Sequence, residues 1–583
     1  MLLNIHSMCK KHRFRFPNDF AIIALLFTSF ISTPLFAQGL DSESFENGVV
    51  VSADRLASEV GLEILKKGGN AVDAAVGVQF ALAVTLPRAG NIGGGGFMVY
   101  HDKDGNVYTL DFRETAPASS SRDMYLDRNQ EVIEGESILG HKAAGVPGTV
   151  DGMVRALERF GRLPLETVLE PAIRLAREGY ELSFSQAESM NYAAEDFAKF
   201  QGSSDIYLHP VGRPWKRGDL FKQEDLARTL ERIAKFGRDG FYAGETAALI
   251  VEEMKRGNGI MTAKDLAEYR SSWREAIHTE FMGYDFWMMG PPSSGGIAFA
   301  QMLQMLDQLN PEALAQSDPQ SAKMAHIYAE IMTRAFADRA YHLGDPDFYP
   351  VPIEQLMDPA YNASRIANFN PRRHLPSTEF EHGDFTPVQE STETTHFSII
   401  DSEGNAVAIN TTLNGSFGNR VTVSGAGFLL NNEMDDFSIK PGTPNMYGLV
   451  GAEANAIQPG KRMLSSMTPI VVAKDGKPML VNGGAGGPTI ITAVFQSTIN
   501  ALMFGMNAQE AIAAPRVHHQ WKPDVLIVEK YGHSPDTRAL LEFYGHTLVQ
   551  RGALARVHMI VVDENGLLHG APDTRGDGYT AGY

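Results

Sequence analysis

The sequence predicts an α/β sandwich in which helices cover antiparallel β-sheets. Helical patterns dominate from about residue 38 to residue 390, whereas short β-branched runs separated by turn residues recur from Thr394 onward. Strands that follow one another through a tight turn are antiparallel, so a doubly wound parallel sheet is disfavoured. The hairpins near residues 100 and 400 have similar patterns, and we therefore expect both halves of the chain to build one core.

Local start and stop signals define the predicted helices. The first begins at Asp54 and stops at the pair Gly68 and Gly69, and the second follows Asn70. Pro488 suits a first helical turn and precedes an apolar helical pattern. The predicted ranges are 54–67, a helix after residue 70, 325–343 and 490–504.

Strand, tight turn, strand is the pattern that predicts the hairpins. Each turn carries Gly with Asp, Glu or Asn, the residues that tolerate the backbone conformations of tight turns. The predicted pairs are 97–101 with 107–112, 396–401 with 406–411, 468–473 with 478–482, and 558–562 with 567–570.

Composition excludes several classes of protein. The chain has 583 residues, of which 43% are hydrophobic and 21% charged, which argues against a disordered, collagen-like or coiled-coil protein. The length allows three or four domains or one large layered domain. A formal charge of −19 argues against nucleic acid or an anionic membrane surface as partner.

Residues 1–37 are predicted to be an export signal. Basic residues precede an uncharged run at 20–31, and Ala37 ends a short segment typical of a cleavage site. The run is short for a bilayer span, so an uncleaved anchor is the less favoured alternative. We expect a periplasmic protein without a membrane segment in its mature form, with secretion beyond the periplasm left open.

Cysteine usage and missing motifs restrict the chemistry. Cys9 is the only cysteine and lies inside the predicted signal, which argues against disulfides, thiolate metal sites and a cysteine nucleophile. HExxH, P-loop and GxSxG motifs are absent, and the neighbours His518 and His519 would point to opposite faces of a strand. We expect no metal and no cofactor, and a nucleophile drawn from Ser, Thr, Lys or a carboxylate.

Thr394 and a glycine cluster are the candidate reactive elements. Residues 375–393 are predicted to be a linker that ends at Thr394. If the bond between Glu393 and Thr394 were cut, the new α-amine could act as base for the Thr394 hydroxyl. The glycines at 483–487 precede a helical pattern, which suggests either an oxyanion site or a tight turn with close backbone packing.

Several ordered blocks resemble γ-glutamyltranspeptidases. They lie at 111–117, 394–398, 412–414, 431–437 and 464–467, and the resemblance runs from about residue 47 to Tyr583. It implies an N-terminal-nucleophile hydrolase with a four-layer αββα sandwich. It also implies a precursor that cuts itself into a large subunit (38–393) and a small subunit (394–583), which form a heterodimer.

The resemblance also implies roles for individual residues. Thr394 would be the nucleophile, Thr412 would hydrogen-bond it, and Gly486 and Gly487 would form the oxyanion hole. A donor has an α-carboxylate and an α-ammonium. The implied partners of the α-carboxylate are Arg113, Ser465 and Ser466. The implied partners of the α-ammonium are Asn414, Glu433 and Asp436. Residues 441–452, with Tyr447, resemble a lid over the donor pocket that favours small donors. Glu433 stands where Gln is frequent, and Met463 where Pro is familiar.

The predicted activity is transfer of the γ-glutamyl group from glutathione and related γ-glutamyl compounds to water or to amino acid or dipeptide acceptors. The main alternative is a related amidase that acts on glutaryl-cephalosporin or poly-γ-glutamate. The residues assigned to the α-ammonium separate the two, since a glutaryl group has no ammonium. An uncut protein that only binds glutamyl compounds or other anions is a third hypothesis.

Overall fold

Two antiparallel β-sheets lie face to face at the centre of the molecule, and helices cover the outer surface of each. The structure is a computed structural model that describes residues 40–379 and 394–583. The predicted export signal, with Cys9, and residues 380–393 of the predicted linker lie outside the described residues. The predicted fold class is confirmed.

The strands are β1 (Glu43–Phe45), β2 (Val49–Ser52), β3 (Gly95–His101), β4 (Val107–Asp111), β5 (Tyr180–Glu181), β6 (Leu220–Phe221), β7 (Ser272–Arg274), β8 (Ile277–Phe281), β9 (Tyr284–Met288), β10 (Thr394–Ile400), β11 (Ala406–Thr412), β12 (Ile470–Lys474), β13 (Lys477–Asn482), β14 (Gly484–Ala485), β15 (Val517–His518), β16 (Leu526–Glu529), β17 (Leu548–Arg551), β18 (Arg556–Val562), β19 (Leu568–Pro572) and β20 (Tyr579–Gly582).

The helices are α1 (Arg55–Lys66), α2 (Ala71–Thr85), α3 (Thr149–Phe160), α4 (Leu165–Glu178), α5 (Phe184–Tyr192), α6 (Ala194–Phe197), α7 (Gln201–Tyr207), α8 (Glu224–Phe236), α9 (Asp239–Tyr242), α10 (Gly244–Arg256), α11 (Ala263–Glu268), α12 (Gly295–Asp307), α13 (Pro311–Leu314), α14 (Ala322–His342), α15 (Ile353–Leu356), α16 (Pro359–Ile366), α17 (Thr489–Leu502), α18 (Ala508–Ala513) and α19 (Pro535–Phe543).

Strands from the two parts of the chain alternate in the first sheet. Its order is β20-β2-β10-β11-β3-β4-β7, so the hairpin of β10 and β11 lies between β2 and β3. The register pairs Thr394 with Thr412 at one end of this hairpin. The second sheet has the order β1-β19-β18-β13-β12-β9-β8, with β14 paired to β18.

The alternation of side chains along the central strands explains the layers. Phe397 and Ile399 of β10 pack in the core formed with α1 to α4, whereas Ile400 belongs to the core between the sheets. Every residue of α2 is buried, so this helix lies deepest against the first sheet. Helices α12, α14 and α17 cover the second sheet. Each large apolar side chain buried in this way contributes roughly 1.5–3 kcal/mol.

The predicted helix starts and hairpins are largely confirmed. Asp54 caps α1, and Asn70 caps α2 in a capping box with Asp73. Helix α14 begins three residues before the predicted position 325, because Ser321 accepts a hydrogen bond from the Met324 amide and caps it there. All four predicted hairpins form.

Helices dominate residues 40–379, as predicted, but β2 and β7 to β9 of this part of the chain also belong to the central sheets. The linker prediction is wrong at 375–379, where Ser377 is buried and its hydroxyl lies 2.5 Å from the Trp521 carbonyl and 2.8 Å from Asp524 Oδ1. None of the helices in residues 40–379 and 394–583 combines the length and apolar character needed to cross a bilayer.

Candidate active site

Thr394 is the first residue of β10 and lies at the edge of the sandwich, where the strand opens into a cavity. Its hydroxyl donates a hydrogen bond to Thr412 Oγ1 across the hairpin, at 3.5 Å. Thr412 Oγ1 also accepts the amide hydrogen of Asn414 at 2.7 Å, which fixes the threonine rotamer. The strand register therefore brings two hydroxyl groups together at one point of the cavity wall.

The cavity gathers most of the residues that the sequence blocks singled out. Of the eleven predicted site residues, all but Gly486 and Glu433 line it. The lining residues are Arg113, Arg339, Thr394, Thr412, Asn414, Asp436, Phe437, Ser438, Thr443, Asn445, Tyr447, Leu449, Val450, Gly451, Asn455, Leu464, Ser465, Ser466, Met467, Gly487, Pro488 and Ile490.

A glycine turn joins β14 to α17 beside the cavity. Gly486 and Gly487 have φ values of 147° and 55°, where an L side chain is strained. A Cβ at Gly487 would also lie 3.0 Å from the Tyr447 ring. The turn is held by Thr489, whose amide and hydroxyl donate to the Gly486 carbonyl at 3.2 and 2.6 Å. Pro488 precedes the first helical residue, so both glycine amides lie at the positive end of α17.

Arg113 is the centre of a buried ion cluster. Its guanidinium lies 2.6 Å from Glu433, 2.5 Å from Asp436 and 3.6 Å from Glu114. Burial raises the pKa of Glu114 to about 8 and the pKa of Glu433 well above its ordinary value. One cation cannot balance three buried carboxylates, so the cluster retains a proton at neutral pH.

Glu433 lies in this cluster and not on the cavity wall. The side chain is fully buried behind Arg113, and only Asp436 of the two ion-paired acids reaches the cavity wall. Asp436 is also contacted by Asn445, whose Nδ2 lies 3.3 Å from Asp436 Oδ1. The structure therefore does not bring Glu433 to the cavity in which a donor ammonium would lie.

Residues 441–452 cover the cavity and are tied to the acidic segment beneath them. Tyr447 is buried, and its hydroxyl donates to the Asn414 carbonyl at 2.6 Å. The Met446 amide donates to Asp435 Oδ2 at 3.0 Å. Burial raises the pKa of Asp435 to about 7. The Tyr447 phenol and the buried Asp435 carboxyl group therefore hold the covering loop in place over the cavity.

Sequence reasoning missed two groups of supporting residues. His396 Nδ1 lies 2.9 Å from Asn410 Oδ1, and Asn410 Nδ2 donates to the Gly484 carbonyl at 2.5 Å, which links the nucleophile strand to the glycine turn. Burial lowers the pKa of His396 to about 3, so the ring is neutral. Arg339 of α14 also lines the cavity. Neither position carries a local signal, because both roles depend on contacts distant in sequence.

A buried histidine group lies outside the cavity. His374, His519 and Asp524 come close enough to hold a metal ion, a grouping that sequence spacing could not predict. The Trp521 amide donates to His519 Nδ1 at 3.1 Å, so in the neutral ring the Nε2 proton points at Asp524, 3.2 Å away. Burial acts to lower the pKa of His374, but hydrogen bonds to Asp524 and Glu330 raise it to about 9. The histidine nitrogens that face Asp524 therefore hold protons in hydrogen bonds to this carboxylate and are not free to bind a metal ion.

Comparison with known proteins extends over nearly the whole chain. Residues 57–583 match the family model described as Gamma-glutamyltranspeptidase. The glutathione hydrolase proenzyme of Escherichia coli (strain K12) is 45% identical over 576 residues, which cover 97% of this chain and 98% of the relative. The crystal structure of Helicobacter pylori gamma-glutamyltranspeptidase is 42% identical, with a TM-score of 0.55, and covers 57% of this chain and 94% of that chain. The crystal structure of cephalosporin acylase from Bacillus halodurans is 27% identical, with a TM-score of 0.82, covering 95% and 98%.

Proposed function

The chain belongs to the γ-glutamyltranspeptidase family, and from that premise we propose that it is a γ-glutamyltransferase and glutathione hydrolase. It transfers the γ-glutamyl group of glutathione and related amides to water or to amino acid and dipeptide acceptors. The observation that carries the proposal is the Thr394 hydroxyl, which shares one cavity with Thr412, the Gly487 turn and the Arg113 cluster.

The first reaction is self-cleavage before Thr394. The Thr394 hydroxyl attacks the carbonyl carbon of residue 393, the peptide nitrogen takes a proton and leaves, and an ester links the two parts. Water then hydrolyses the ester and frees the Thr394 hydroxyl and the carboxylate of residue 393, so that Thr394 carries both its hydroxyl and the α-amine released in the first step. The products are a large subunit (38–393) and a small subunit (394–583) that remain together as a heterodimer. The pairing of β10 with β2 and of β11 with β3 supports that outcome.

The second reaction uses the freed α-amine as the base for the Thr394 hydroxyl. The hydroxyl attacks the donor γ-carbonyl, and the amides of Gly486 and Gly487 stabilise the oxyanion at the end of α17. An amine such as cysteinylglycine leaves, and water or an acceptor amine takes the glutamyl group from the ester. Thr412 orients the nucleophile through the hydrogen bond across the hairpin.

Donor recognition follows from the charges of the cavity wall. Arg113, Ser465 and Ser466 bind the α-carboxylate, and Asn414 and Asp436 bind the α-ammonium, with Glu433 contributing through Arg113. Tyr447 closes the cavity over a small donor. No metal or cofactor takes part in this chemistry, so chelation with EDTA should leave the rate unchanged. Export by residues 1–37 would place the enzyme in the periplasm.

Denaturing gels of purified protein test the maturation. The wild type should give two bands, and Edman sequencing of the smaller should begin Thr-Thr-His-Phe-Ser. Thr394→Ala should stay as one chain because no hydroxyl remains, and Thr394→Ser should be cut in part. A Thr394→Ala protein that is still cut before residue 394 would assign the cut to another protease, and an uncut wild type would favour a binding protein.

A donor comparison tests the activity. The enzyme should release the anilide from γ-glutamyl anilide, faster with a dipeptide acceptor, and should turn over glutaryl anilide poorly, because Asp436 then has no ammonium partner. The similarity to a cephalosporin acylase makes glutaryl amides the alternative substrates. Preference for glutaryl anilide would replace the proposed function by that of an acylase.

A further inference from the structure

Arg339 is a buried arginine that forms no ion pair in the described part of the chain. Its side chain comes from α14 and is 4% exposed. Four other arginines of residues 40–379 and 394–583 are buried, and each lies within 3.3 Å of a carboxylate oxygen. These pairs are Arg113 with Glu433, Arg334 with Glu330, Arg462 with Asp111, and Arg516 with Asp573.

The hydrogen bonds of Arg339 go to neutral hydroxyl groups. Nε donates to Ser294 Oγ at 2.9 Å, and Nη2 donates to Ser466 Oγ at 3.1 Å. Burial lowers the pKa of Arg339 to about 10, partly offset by the attraction of Asp436. The group is therefore charged at neutral pH, and a buried charge without a counter-ion is costly. Since Arg339 lines the cavity and no carboxylate of the described residues pairs with it, an anionic group of a ligand can supply its counter-ion there.

The two hydroxyls extend this charge to the predicted carboxylate subsite. Ser294 Oγ donates to the Ser465 carbonyl at 2.6 Å and so holds the Ser465 backbone in place. Ser466 Oγ accepts a hydrogen bond from a cation, which makes its own proton a stronger donor. Within the described residues no acceptor takes that proton. It is free to point into the cavity.

Arg113 differs from Arg339 in its electrostatic state. Glu433 and Asp436 form ion pairs with the Arg113 guanidinium, whereas Asp436 attracts Arg339 without forming an ion pair with it. A carboxylate entering the cavity therefore meets a neutralised cation at Arg113 and an uncompensated one at Arg339. We infer that Arg339 is a positioning residue that supplies the positive charge for the donor α-carboxylate and acts on it through the Ser466 hydroxyl. This inference rests on the proposed function.

The experiment compares two donors in the same enzyme preparation. One is γ-glutamyl anilide, and the other is 4-aminobutyryl anilide, which keeps the amine and lacks the α-carboxylate. Arg339→Met and Arg339→Gln should raise KM for γ-glutamyl anilide by about ten- to a hundredfold with a much smaller change in kcat. KM for 4-aminobutyryl anilide should change less than about threefold. Because KM and the ratio of the two kcat/KM values do not depend on the active fraction, partial misfolding does not obscure the result.

Two further variants separate charge from structure. Arg339→Lys should restore part of the lost discrimination, since an ammonium keeps the charge but cannot hold both Ser294 and Ser466. Arg334→Lys, on the same helix but outside the cavity, should leave the ratio of the two donors unchanged. Equal losses for both donors in the Arg339 variants would overturn the inference and make Arg339 a structural residue.

The proposed function is tested separately by the wild type. If the wild type does not turn over γ-glutamyl anilide, the proposed function fails whatever Arg339 does. Thermal stabilisation by L-glutamate relative to 4-aminobutyrate then makes the same comparison without turnover. Loss of the glutamate preference in Arg339→Met supports the carboxylate subsite, and an unchanged preference contradicts it.

Discussion

Glu433→Gln should leave hydrolysis of γ-glutamyl anilide nearly unchanged at neutral pH, whereas Asp436→Asn should lower kcat/KM by about ten- to a hundredfold. Burial and the neighbouring acids raise the pKa of Glu433 well above its ordinary value, and we assign to its carboxyl group the proton that the cluster retains at neutral pH. A protonated carboxyl and an amide have the same charge and almost the same shape. The substitution therefore leaves the charge and the packing around Arg113 nearly unchanged.

Asp436 differs from Glu433 because it contacts Arg113 and also reaches the cavity wall. Its Oδ2 lies 2.5 Å from Arg113 Nη2, and its other oxygen contacts Asn445. Loss of a charged hydrogen-bonded partner costs about 1.5–3 kcal/mol, and each 1.36 kcal/mol is a factor of ten in rate. Ionisation of Glu433 in the Asp436→Asn variant would offset part of this loss, so the lower half of the range is expected.

The assay is steady-state hydrolysis of γ-glutamyl anilide from pH 6 to 10 with wild type and both variants. Because the folded-state pKa of Glu433 is raised, its protonated form stabilises the fold, and that stabilisation is lost as pH rises through the raised pKa. The wild type should therefore lose thermal stability at high pH more than Glu433→Gln. If Glu433→Gln is as inactive as Asp436→Asn at pH 7, the proton of the cluster lies elsewhere and the reasoning is refuted.

Three further predictions concern the supports of the site. His374→Gln should reduce the fall in melting temperature between pH 7 and 10, because stabilisation by a histidine of pKa about 9 is complete below about 6.5 and is lost as pH rises through 9. After allowance for solvent screening, the wild type should lose about 1–2 kcal/mol of unfolding free energy over this range. Equal falls in melting temperature in both proteins would contradict the prediction. Tyr447→Phe removes the hydrogen bond to the Asn414 carbonyl and should raise donor KM by about two- to tenfold without slowing self-cleavage, as a gel time course would show; slower cleavage would assign the phenol to maturation. Thr412→Val keeps the shape but removes the hydroxyl that contacts Thr394, and it should slow both cleavage and turnover by about tenfold or more; unchanged rates would exclude the contact from both reactions.

Local signals explain which parts of the fold were predictable. Asp54 and Asn70 cap helices through contacts within three residues, and such contacts are visible in sequence. The insertion of the β10–β11 hairpin between β2 and β3 depends on pairing across more than 300 residues, which no local pattern encodes. Strand β7 was missed for a related reason, because it becomes a strand by pairing with β4. Strands β8 and β9 form a hairpin through Met282 and Gly283, which is a local pattern that the sequence analysis overlooked.

The site shows the same limit. The sequence blocks identified residues that meet in the cavity, but they did not predict how these residues compensate one another. Glu433 was expected to face a ligand and instead lies behind Arg113, and among the buried arginines of the described residues it is Arg339 that has no carboxylate partner. Charge balance in a buried cluster depends on distances between side chains from separate segments, which only the folded structure provides.

The hairpin of β10 and β11 also decides how the enzyme would lose activity once the bond before Thr394 is cut. Strands from either side of the cut alternate across the first sheet, so neither piece can leave without exposing the edges of buried strands. Folding of the uncut chain is unimolecular, whereas reassembly of the cut chains is a second-order encounter that competes with aggregation. The mature protein would then persist because it unfolds slowly and not because it refolds, and its thermal inactivation should depend on scan rate. The time for which the mature enzyme stays active is therefore determined by the unfolding rate of the structure that the precursor forms.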